Sequence, residues 1–266
     1  WVLMTDEEAP EYRRALAEQM AVGQAIMGGL GYRGSHLRTI EWSPPKEAPL
    51  GRTNAREWTP LDQALREPAA QGVSKVSALA PQADKRATLD LAVDHLVLVA
   101  PDARHLLLAG ATEAIPLPEA GSPFGSLQID TGKCTLCLSC VGACPEAALA
   151  DNTEKPQLRF IEKNCVQCGL CVTTCPESAL KRVPRLWLAD EGKSRKAMRV
   201  LNEAEPFPCI KCGKPFGTLQ AVEAMISKIG NHAAFAGQGA ARLRMCSDCR
   251  VVDMFSNPNE TRITDL

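Results

Sequence analysis

Apolar residues recur at helical spacing in three separate stretches of the chain. They predict amphipathic helices over Glu11–Met27, from Asp84 onward, and over Thr218–Ile229. The apolar positions of the first helix are Leu16, Met20, Val22, Ala25 and Ile26, and those of the second are Leu89, Ala92, Val93 and Leu96. On this pattern, Lys85, Arg86 and Asp94 belong to the outer face of the second helix.

The first helix runs directly into a segment rich in glycine. Gly29, Gly31 and Gly34 satisfy the spacing G-x-G-x-x-G, which is typical of dinucleotide-binding turns. That motif requires a strand before the glycines and a helix after them. Here a helix precedes them and a predicted strand, His36–Trp42, follows. We therefore interpret these glycines as a helix C-cap.

The rest of residues 1–125 predicts short elements and no recognisable chemistry. The predictions are loops at Ser43–Asn54 and Ala69–Gln82, a short helix from Thr59–Pro60 through Leu65, and strands at His105–Leu108 and Ala114–Leu117. His95 lies beside the apolar stripe of the second helix with no cysteine or second histidine near it in sequence. It is expected to be partly buried or on the surface rather than a metal ligand. The region is predicted to form a small α/β domain of unknown role.

The region from Cys134 to Pro176 contains two copies of the pattern C-x2-C-x2-C-x3-C-P, offset by 31 residues. The flanks repeat as well, because Leu127–Lys133 precedes the first copy and Leu158–Asn164 precedes the second. A disulfide framework is disfavoured, since three cysteines at this spacing cannot all find partners of good geometry. Zinc is disfavoured too, because its ligands come in pairs rather than in a triplet with a fourth. The pattern favours iron–sulfur clusters.

This part of the chain, residues 126–183, resembles the bacterial 2[4Fe-4S] ferredoxins, including the polyferredoxin-like 4Fe-4S binding proteins. All eight cysteines and both prolines, Pro145 and Pro176, match the ferredoxin pattern. The resemblance implies a ferredoxin βαββαβ fold, with strands near Leu127–Asp130 and Leu158–Glu162. It also implies two [4Fe-4S] clusters.

In such proteins the fourth cysteine of each run ligates the other cluster, because the x3 gap and the proline lead the chain away from the first loop. The expected ligands of one cluster are Cys134, Cys137, Cys140 and Cys175. The expected ligands of the second are Cys165, Cys168, Cys171 and Cys144.

Composition and charge narrow the functional classes. The net charge of −1 gives no reason to expect nucleic acid as a partner. No apolar run approaches 18 residues, so no transmembrane segment is predicted. All 12 cysteines fall into groups with C-x-x-C or C-x-x-x-C spacing, which indicates metal ligation in a reducing compartment and a cytoplasmic location. The chain begins at Trp1 rather than Met, which leaves open that it is a fragment of a longer protein.

A basic segment follows the cysteine runs. Residues 184–205 are predicted to form a basic helical linker, with the helix over Glu191–Asn202. Its basic residues are Lys193, Arg195, Lys196 and Arg199. A charge run of this kind is typical of a solvated helix face. A docking patch for an acidic redox partner is the alternative.

The C-terminal segment, residues 206–266, carries the remaining four cysteines in two C-x-x-C pairs. They are Cys209, Cys212, Cys246 and Cys249. Four thiolates form a closed tetrahedral site, which favours one structural Zn²⁺, with a mononuclear iron or a third iron–sulfur centre as alternatives. The nearby cations Lys211, Lys214, Arg244 and Arg250 would offset the negative charge of the site. The arrangement resembles zinc-ribbon and treble-clef modules.

The predicted fold class is therefore α+β: a ferredoxin-like core flanked by an α/β domain and a four-cysteine metal module. The predicted function is electron transfer between redox partners, and no residue suggests a catalytic base or nucleophile. The domain order is similar to that of bacterial 4Fe-4S binding proteins associated with oxidoreductases such as formate dehydrogenase. Two alternatives stay open: a tightly bound electron-transfer subunit or assembly and docking factor of such a complex, and an Fe–S sensor or regulator.

Overall fold

The structure is a computed structural model that describes residues 2–5, 8–42, 59–101, 114–232, 235 and 239–256. The loop predicted at Ser43–Asn54 and the strand predicted at His105–Leu108 lie outside these residues. The chain divides into two compact units. Unit 1 comprises residues 1–126, 162–168 and 183–197, and unit 2 comprises residues 127–161, 169–182 and 198–266.

Unit 1 is built on helices with short strands. Its elements in chain order are β1 (Val2–Thr5), α1 (Pro10–Gly29), β2 (Thr39–Trp42), α2 (Thr59–Arg66), α3 (Lys85–Leu98) and β3 (Ala114–Pro116). Strands β1 and β2 pair in parallel, with Leu3 opposite Ile40. The buried core comprises Val22, Ile26, Leu30, Tyr32, Val93, Ala100, Ile115, Leu117, Phe124, Leu186 and Leu188. The sequence prediction of the first and second helices is confirmed.

The glycine C-cap is confirmed at the end of α1. Gly31 has φ of 83°, in the left-handed region that favours glycine. The amide of Gly31 donates to the carbonyl of Gly28, and the amide of Tyr32 donates to the carbonyl of Met27, each at 3.0 Å. These two bonds form a Schellman motif, which satisfies carbonyls at the helix end.

Helix α3 begins as expected, because the Asp84 side chain accepts from the Ala87 amide at 2.6 Å. Its buried face differs from the prediction. Leu89 is 37% exposed, whereas Asp90 is only 3% exposed. Asp90 is buried because a cation distant in sequence pairs with it, and apolar periodicity contains no information about such a partner. His95 is half-buried and its Nε2 lies 2.9 Å from the carbonyl of Lys75, as expected of a structural histidine.

The helix predicted over Glu191–Asn202 is wrong. This stretch forms a single 3-10 turn, Ser194–Lys196, followed by strand β8 (Met198–Glu203). Arg195 is 3% exposed rather than solvated. Its guanidinium donates to Asp90 at 2.8 Å and to Asp94 at 2.6 Å, and this ion network holds the turn in place of a helix.

Unit 2 contains a three-stranded antiparallel sheet in the order β5 (Leu149–Asp151), β6 (Gln157–Ile161) and β8. Phe160 of β6 is fully buried, and the guanidinium of Arg199 lies 5.1 Å from its ring centre. The segment after β8 forms an antiparallel hairpin of β9 (Pro206–Pro208) and β10 (Pro215–Thr218). Helices α6 (Leu219–Ile229), α7 (Gly239–Arg242) and α8 (Ser247–Ser256) follow.

A further sheet has the strand order β3–β7–β4, where β4 is Gly125–Ile129 and β7 is Leu180–Trp187. Strand β3 runs antiparallel to β7, with Ile115 opposite Leu186. Two short helical turns, α4 (Ser139–Gly142) and α5 (Leu170–Thr174), lie within the two cysteine runs. Helices and small, mainly antiparallel sheets are consistent with the α+β class. None of the described helices is long and apolar enough to cross a membrane.

Candidate metal centres

Four cysteines of unit 2 line one small, partly enclosed pocket. They are Cys134, Cys137, Cys140 and Cys175. The first three belong to the loop before α4 and to its first turn, and the fourth directly follows α5. Apolar side chains, among them Ile129, Leu158 and Leu180, form much of the remaining wall. Sulfur ligands from distant segments therefore converge in a largely apolar recess.

The loops of the two cysteine runs share an unusual backbone. Leu136 and Gln167 occupy equivalent positions of the repeat and have φ of 54° and 57°. Leu138 and Gly169, the next equivalent pair, also lie in the left-handed region, at 61° and 84°. Left-handed backbone costs roughly 1–2 kcal/mol at a residue other than glycine, so local preference does not produce it. A loop that must turn its thiols and amides inward accounts for it.

The fourth cysteine of each run is also placed in the same way. The amide of Ala148 donates to Cys144 Sγ at 3.3 Å, and the amide of Ala179 donates to Cys175 Sγ at the same distance. An N–H directed at sulfur stabilises the thiolate form, which is the form that binds metal. The two runs therefore share the same backbone arrangement at their fourth cysteine, as they do in the loops before it.

The first pocket disfavours thiolates that lack a cationic partner. Burial raises the pKa of Cys140 to about 12, and the negative charges of Cys134, Cys137 and Cys171 add to the effect. For Cys137 burial again opposes ionisation, but hydrogen bonds from Ser139 and Thr135 outweigh it and lower the pKa. One of these converging thiols resists ionisation and another favours it. Such a group fits a site in which a bound metal supplies the positive charge that stabilises all the thiolates. The donor set and the apolar wall therefore fit an iron–sulfur cluster.

The second run divides between the two units. Cys165 and Cys168 belong to unit 1, whereas Cys171 and Cys144 belong to unit 2. Within unit 1, Cys165 is buried and its Sγ accepts a hydrogen bond from Gln167 Nε2 at 3.2 Å. The ligand set Cys165, Cys168, Cys171 and Cys144 therefore stays a prediction from the repeat.

The four remaining cysteines form a compact group in unit 2, called here the C-terminal thiol group. The Sγ atoms of Cys209, Cys212, Cys246 and Cys249 all lie within 4.8 Å of one another. The first pair lies between strands β9 and β10, where Gly213 adopts φ of 73° and the amide of Lys211 lies 3.4 Å from Cys209 Sγ. The second pair lies at the start of α8. A hairpin and a helix start thus bring together four thiols that fit one tetrahedral metal ion.

The thiols of this group differ in acidity. Burial opposes ionisation of Cys209, but the backbone amides of Cys212, Cys246 and Lys211 outweigh it and lower its pKa to about 6. Hydrogen bonds with Cys212 and Cys246 raise the pKa of Cys249 to about 12. Without a metal, the group therefore favours a thiolate at Cys209, while Cys249 keeps its proton. A divalent ion displaces those protons when it binds.

Ion pairs surround the C-terminal thiol group. Asp253 of α8 accepts from Lys211 at 2.6 Å and from Arg242 at 2.8 Å. These two cations lower the pKa of Asp253, with Arg242 the larger cause. Arg250 donates to the carbonyls of Arg242 and Met245. Lys211 and Arg250, predicted only to neutralise thiolates, thus also tie α8 to the hairpin and to α7.

The C-terminal segment also contacts the first cysteine run, and both belong to unit 2. Thr218 Oγ1 donates to the carbonyl of Thr135 at 3.0 Å, and Asn202 Nδ2 donates to the carbonyl of Cys134 at 3.5 Å. Lys228 of α6 forms an ion pair with Glu177. Sequence reasoning missed these contacts, because single polar residues some 50 to 80 positions away leave no local pattern.

Comparison with known families agrees with the geometry of the first pocket. Residues 126–176 match the 4Fe-4S dicluster domain family. This region of the chain is therefore similar to iron–sulfur domains. The match covers less than half of the chain and includes all eight cysteines of the two runs. A comparison with curated proteins found no match.

Proposed function

We propose that the protein transfers single electrons through two [4Fe-4S] clusters. The match to a 4Fe-4S dicluster domain and the eight cysteines of the repeat support this proposal. A bound [4Fe-4S] cluster accepts and releases one electron at a time. The chain's own residues hold the cluster, exclude water from it and provide hydrogen bonds to its ligands.

One observation carries the proposal. Cys175, the last cysteine of the second run, lines the same pocket as Cys134, Cys137 and Cys140 of the first. The exchange of the fourth ligand between runs is the feature that distinguishes two-cluster ferredoxins from single-cluster sites. The reciprocal exchange would give Cys144 to the cluster of Cys165, Cys168 and Cys171.

The surroundings of the cysteines suit electron transfer. Cys137 and Cys168 are the exposed members of their runs, whereas Cys140, Cys165 and Cys171 are buried. Each cluster would therefore have one edge near solvent, where an electron can enter or leave, while apolar walls limit reorganisation of water. No group of residues in the described part of the chain suggests substrate chemistry, and we infer an electron carrier rather than an enzyme.

We further infer that the C-terminal thiol group holds one structural Zn²⁺, with iron as the alternative. Four thiolates fill a tetrahedral site and leave no open position for chemistry. The expected role of the metal is to fold residues 206–256 and to present them as a surface. The partner would be a redox protein or an oxidoreductase complex such as formate dehydrogenase, to which the chain could also belong as a bound subunit.

The test is metal analysis with EPR of anaerobically purified protein. We expect about eight iron, eight sulfide and one zinc per chain, and two spin-coupled signals on reduction. About four iron in fully loaded protein would contradict the proposal. A large iron excess over eight, with no zinc, would assign iron to the C-terminal thiol group.

Ligand exchange is tested by four matched variants. Cys175→Ala should lose the same EPR signal as Cys137→Ala, because both would remove a ligand of one cluster. Cys144→Ala should lose the same signal as Cys168→Ala. The opposite pairing, in which each fourth cysteine affects the cluster of its own run, would refute the exchange.

A further inference from the structure

One buried hydroxyl links the C-terminal segment to the loop of the first cysteine run. Thr218, the last residue of β10, is 3% exposed, and its Oγ1 donates to the carbonyl of Thr135 at 3.0 Å. Thr135 is also buried and lies between two cysteines of the run, Cys134 and Cys137. All four residues belong to unit 2. A residue 83 positions away therefore contacts the loop that is proposed to hold a cluster.

The same hydroxyl is held from its other side by helix α6. Thr218 Oγ1 accepts from the amide of Ala221 at 3.1 Å and thereby caps the N-terminus of that helix. A buried side chain that is fixed by a helix amide has little freedom to change its rotamer. The start of α6 thus presents to the carbonyl of Thr135 a donor whose direction is set.

This contact fixes one peptide plane of the cysteine loop. The C=O and the N–H of a planar trans peptide point in opposite directions, so the amide of Leu136 points away from Thr218. Thr135 and Leu136 both line the pocket of the four cysteines, whereas Thr218 is not one of its lining residues. Leu136 also has φ of 54°, a conformation that local preference disfavours. A hydrogen bond to the preceding carbonyl helps to keep the loop in this conformation.

We propose that Thr218 is a positioning residue for the cluster of the first pocket: it holds the amide of Leu136 toward that cluster and so raises its reduction potential. Reduction adds negative charge, which the positive end of an inward peptide dipole stabilises. Without the hydroxyl, the buried carbonyl of Thr135 would lose this donor. An unpaired buried carbonyl is costly, so the peptide would turn toward water. This inference rests on the proposed two-cluster function.

The test is an EPR-monitored redox titration of the full chain, in which the signal that Cys137→Ala removes identifies the cluster of the first pocket. Thr218→Val keeps the shape of the side chain and removes the hydroxyl. We expect the reduction equilibrium of that cluster to become about tenfold less favourable, which is 59 mV for a one-electron couple, and the other potential to stay unchanged. Thr218→Ser keeps the hydroxyl and should keep the wild-type potential.

Glu223→Gly is the matched control, because Thr218→Val also removes the N-cap of α6. Glu223 is exposed in the interior of that helix, and glycine there should weaken the helix about as much as loss of the cap does. We expect Glu223→Gly to leave both potentials unchanged. A shift equal to that of Thr218→Val would show that helix stability, rather than the hydroxyl, sets the potential, and it would overturn the inference.

Three further results would overturn it: no shift in Thr218→Val, an equal shift of both clusters, or the same shift in Thr218→Ser. Thr218→Ala also removes the hydroxyl and gives the same test if Thr218→Val loses its clusters. Iron and sulfide analysis separates the two proposals. Wild-type protein with about four iron would refute the two-cluster function itself, whereas about eight iron with an unshifted potential would refute only the role of Thr218.

Discussion

Substitution of one ligand of the C-terminal thiol group, Cys249→Ser, should unfold most of the C-terminal segment while both iron–sulfur clusters persist. The buried cluster of this segment consists of Cys209, Met245 and Cys246, with Phe216 and Cys249 packed against it. Three of these five residues are proposed metal ligands. Besides Met245, the buried aliphatic side chains of the segment include Leu243 and Val222, so its apolar core is small.

The magnitudes support this expectation. Full burial of each of Met245, Leu243 and Val222 contributes about 1.5–3 kcal/mol. Binding of a structural zinc contributes about 10–16 kcal/mol, which is comparable with the whole free energy of unfolding of a typical domain, about 5–15 kcal/mol. Loss of one of four thiolates should thus remove the dominant stabilising interaction of the hairpin β9–β10 and of α8.

Hydrogen exchange followed by mass spectrometry provides the assay. In Cys249→Ser we expect protection to be lost over residues 206–216 and 239–256, zinc to be absent, and both EPR signals to remain. Ile210→Ser is the matched control, because Ile210 lies between two ligands but is 53% exposed. Protection within about tenfold of wild type in the zinc-free variant, a difference of about 1.4 kcal/mol, would refute the reasoning.

Two further predictions concern the buried ion network of unit 1. Arg195→Met should destabilise α3 by roughly 3–5 kcal/mol, because the buried carboxylate of Asp90 would keep less compensation for its charge. Lys196 is more exposed, so Lys196→Met should cost at most about 1 kcal/mol. Hydrogen exchange of residues 85–98 measures both variants, and equal losses of protection would contradict the assignment. Burial opposes ionisation of Asp94, but Lys196 and Arg195 outweigh it and lower its pKa below the ordinary value of 3.8. The stabilisation of the fold by the Asp94 carboxylate should therefore be complete at a pH above that ordinary value, and it should be lost as the pH falls through the lower pKa of the folded state. Asp94→Asn should remove this pH dependence from the hydrogen-exchange protection of α3. An identical pH profile in wild type and variant would contradict the prediction.

Local patterns predicted the parts of the fold that depend on local chemistry. The helix cap at Gly31, the helix that begins at Asp84 and the helix after Thr218 follow from residue types whose preferences act within one turn. Grouping of the eight cysteines into two runs follows from cluster geometry in the same way. The match to the 4Fe-4S dicluster domain family agrees with that grouping.

Predictions failed where a charged residue meets a partner distant in sequence. Arg195 was assigned to a solvated helix face, but it pairs with Asp90 and Asp94, about 100 positions earlier. Asp90 is buried for the same reason, and Leu89 is displaced from the predicted face. Hydrophobic periodicity predicts which face of a helix is apolar. Ion pairs between distant segments depend on how the chain folds, and the periodicity of one segment cannot predict that.

The same distinction explains how two copies of one sequence pattern have different surroundings. The backbone turns and the cysteines repeat, as the proposed ligation of two clusters would require. Some of the donors around them come from outside the repeat and differ between the copies: Asn202 and Thr218 contact the first run, and Arg86 contacts the second. Glu162, just before the second run, is likewise held by Arg185 at 2.8 Å. The segments that flank the repeat therefore give the two runs different neighbours, although the cysteines of the runs are the same.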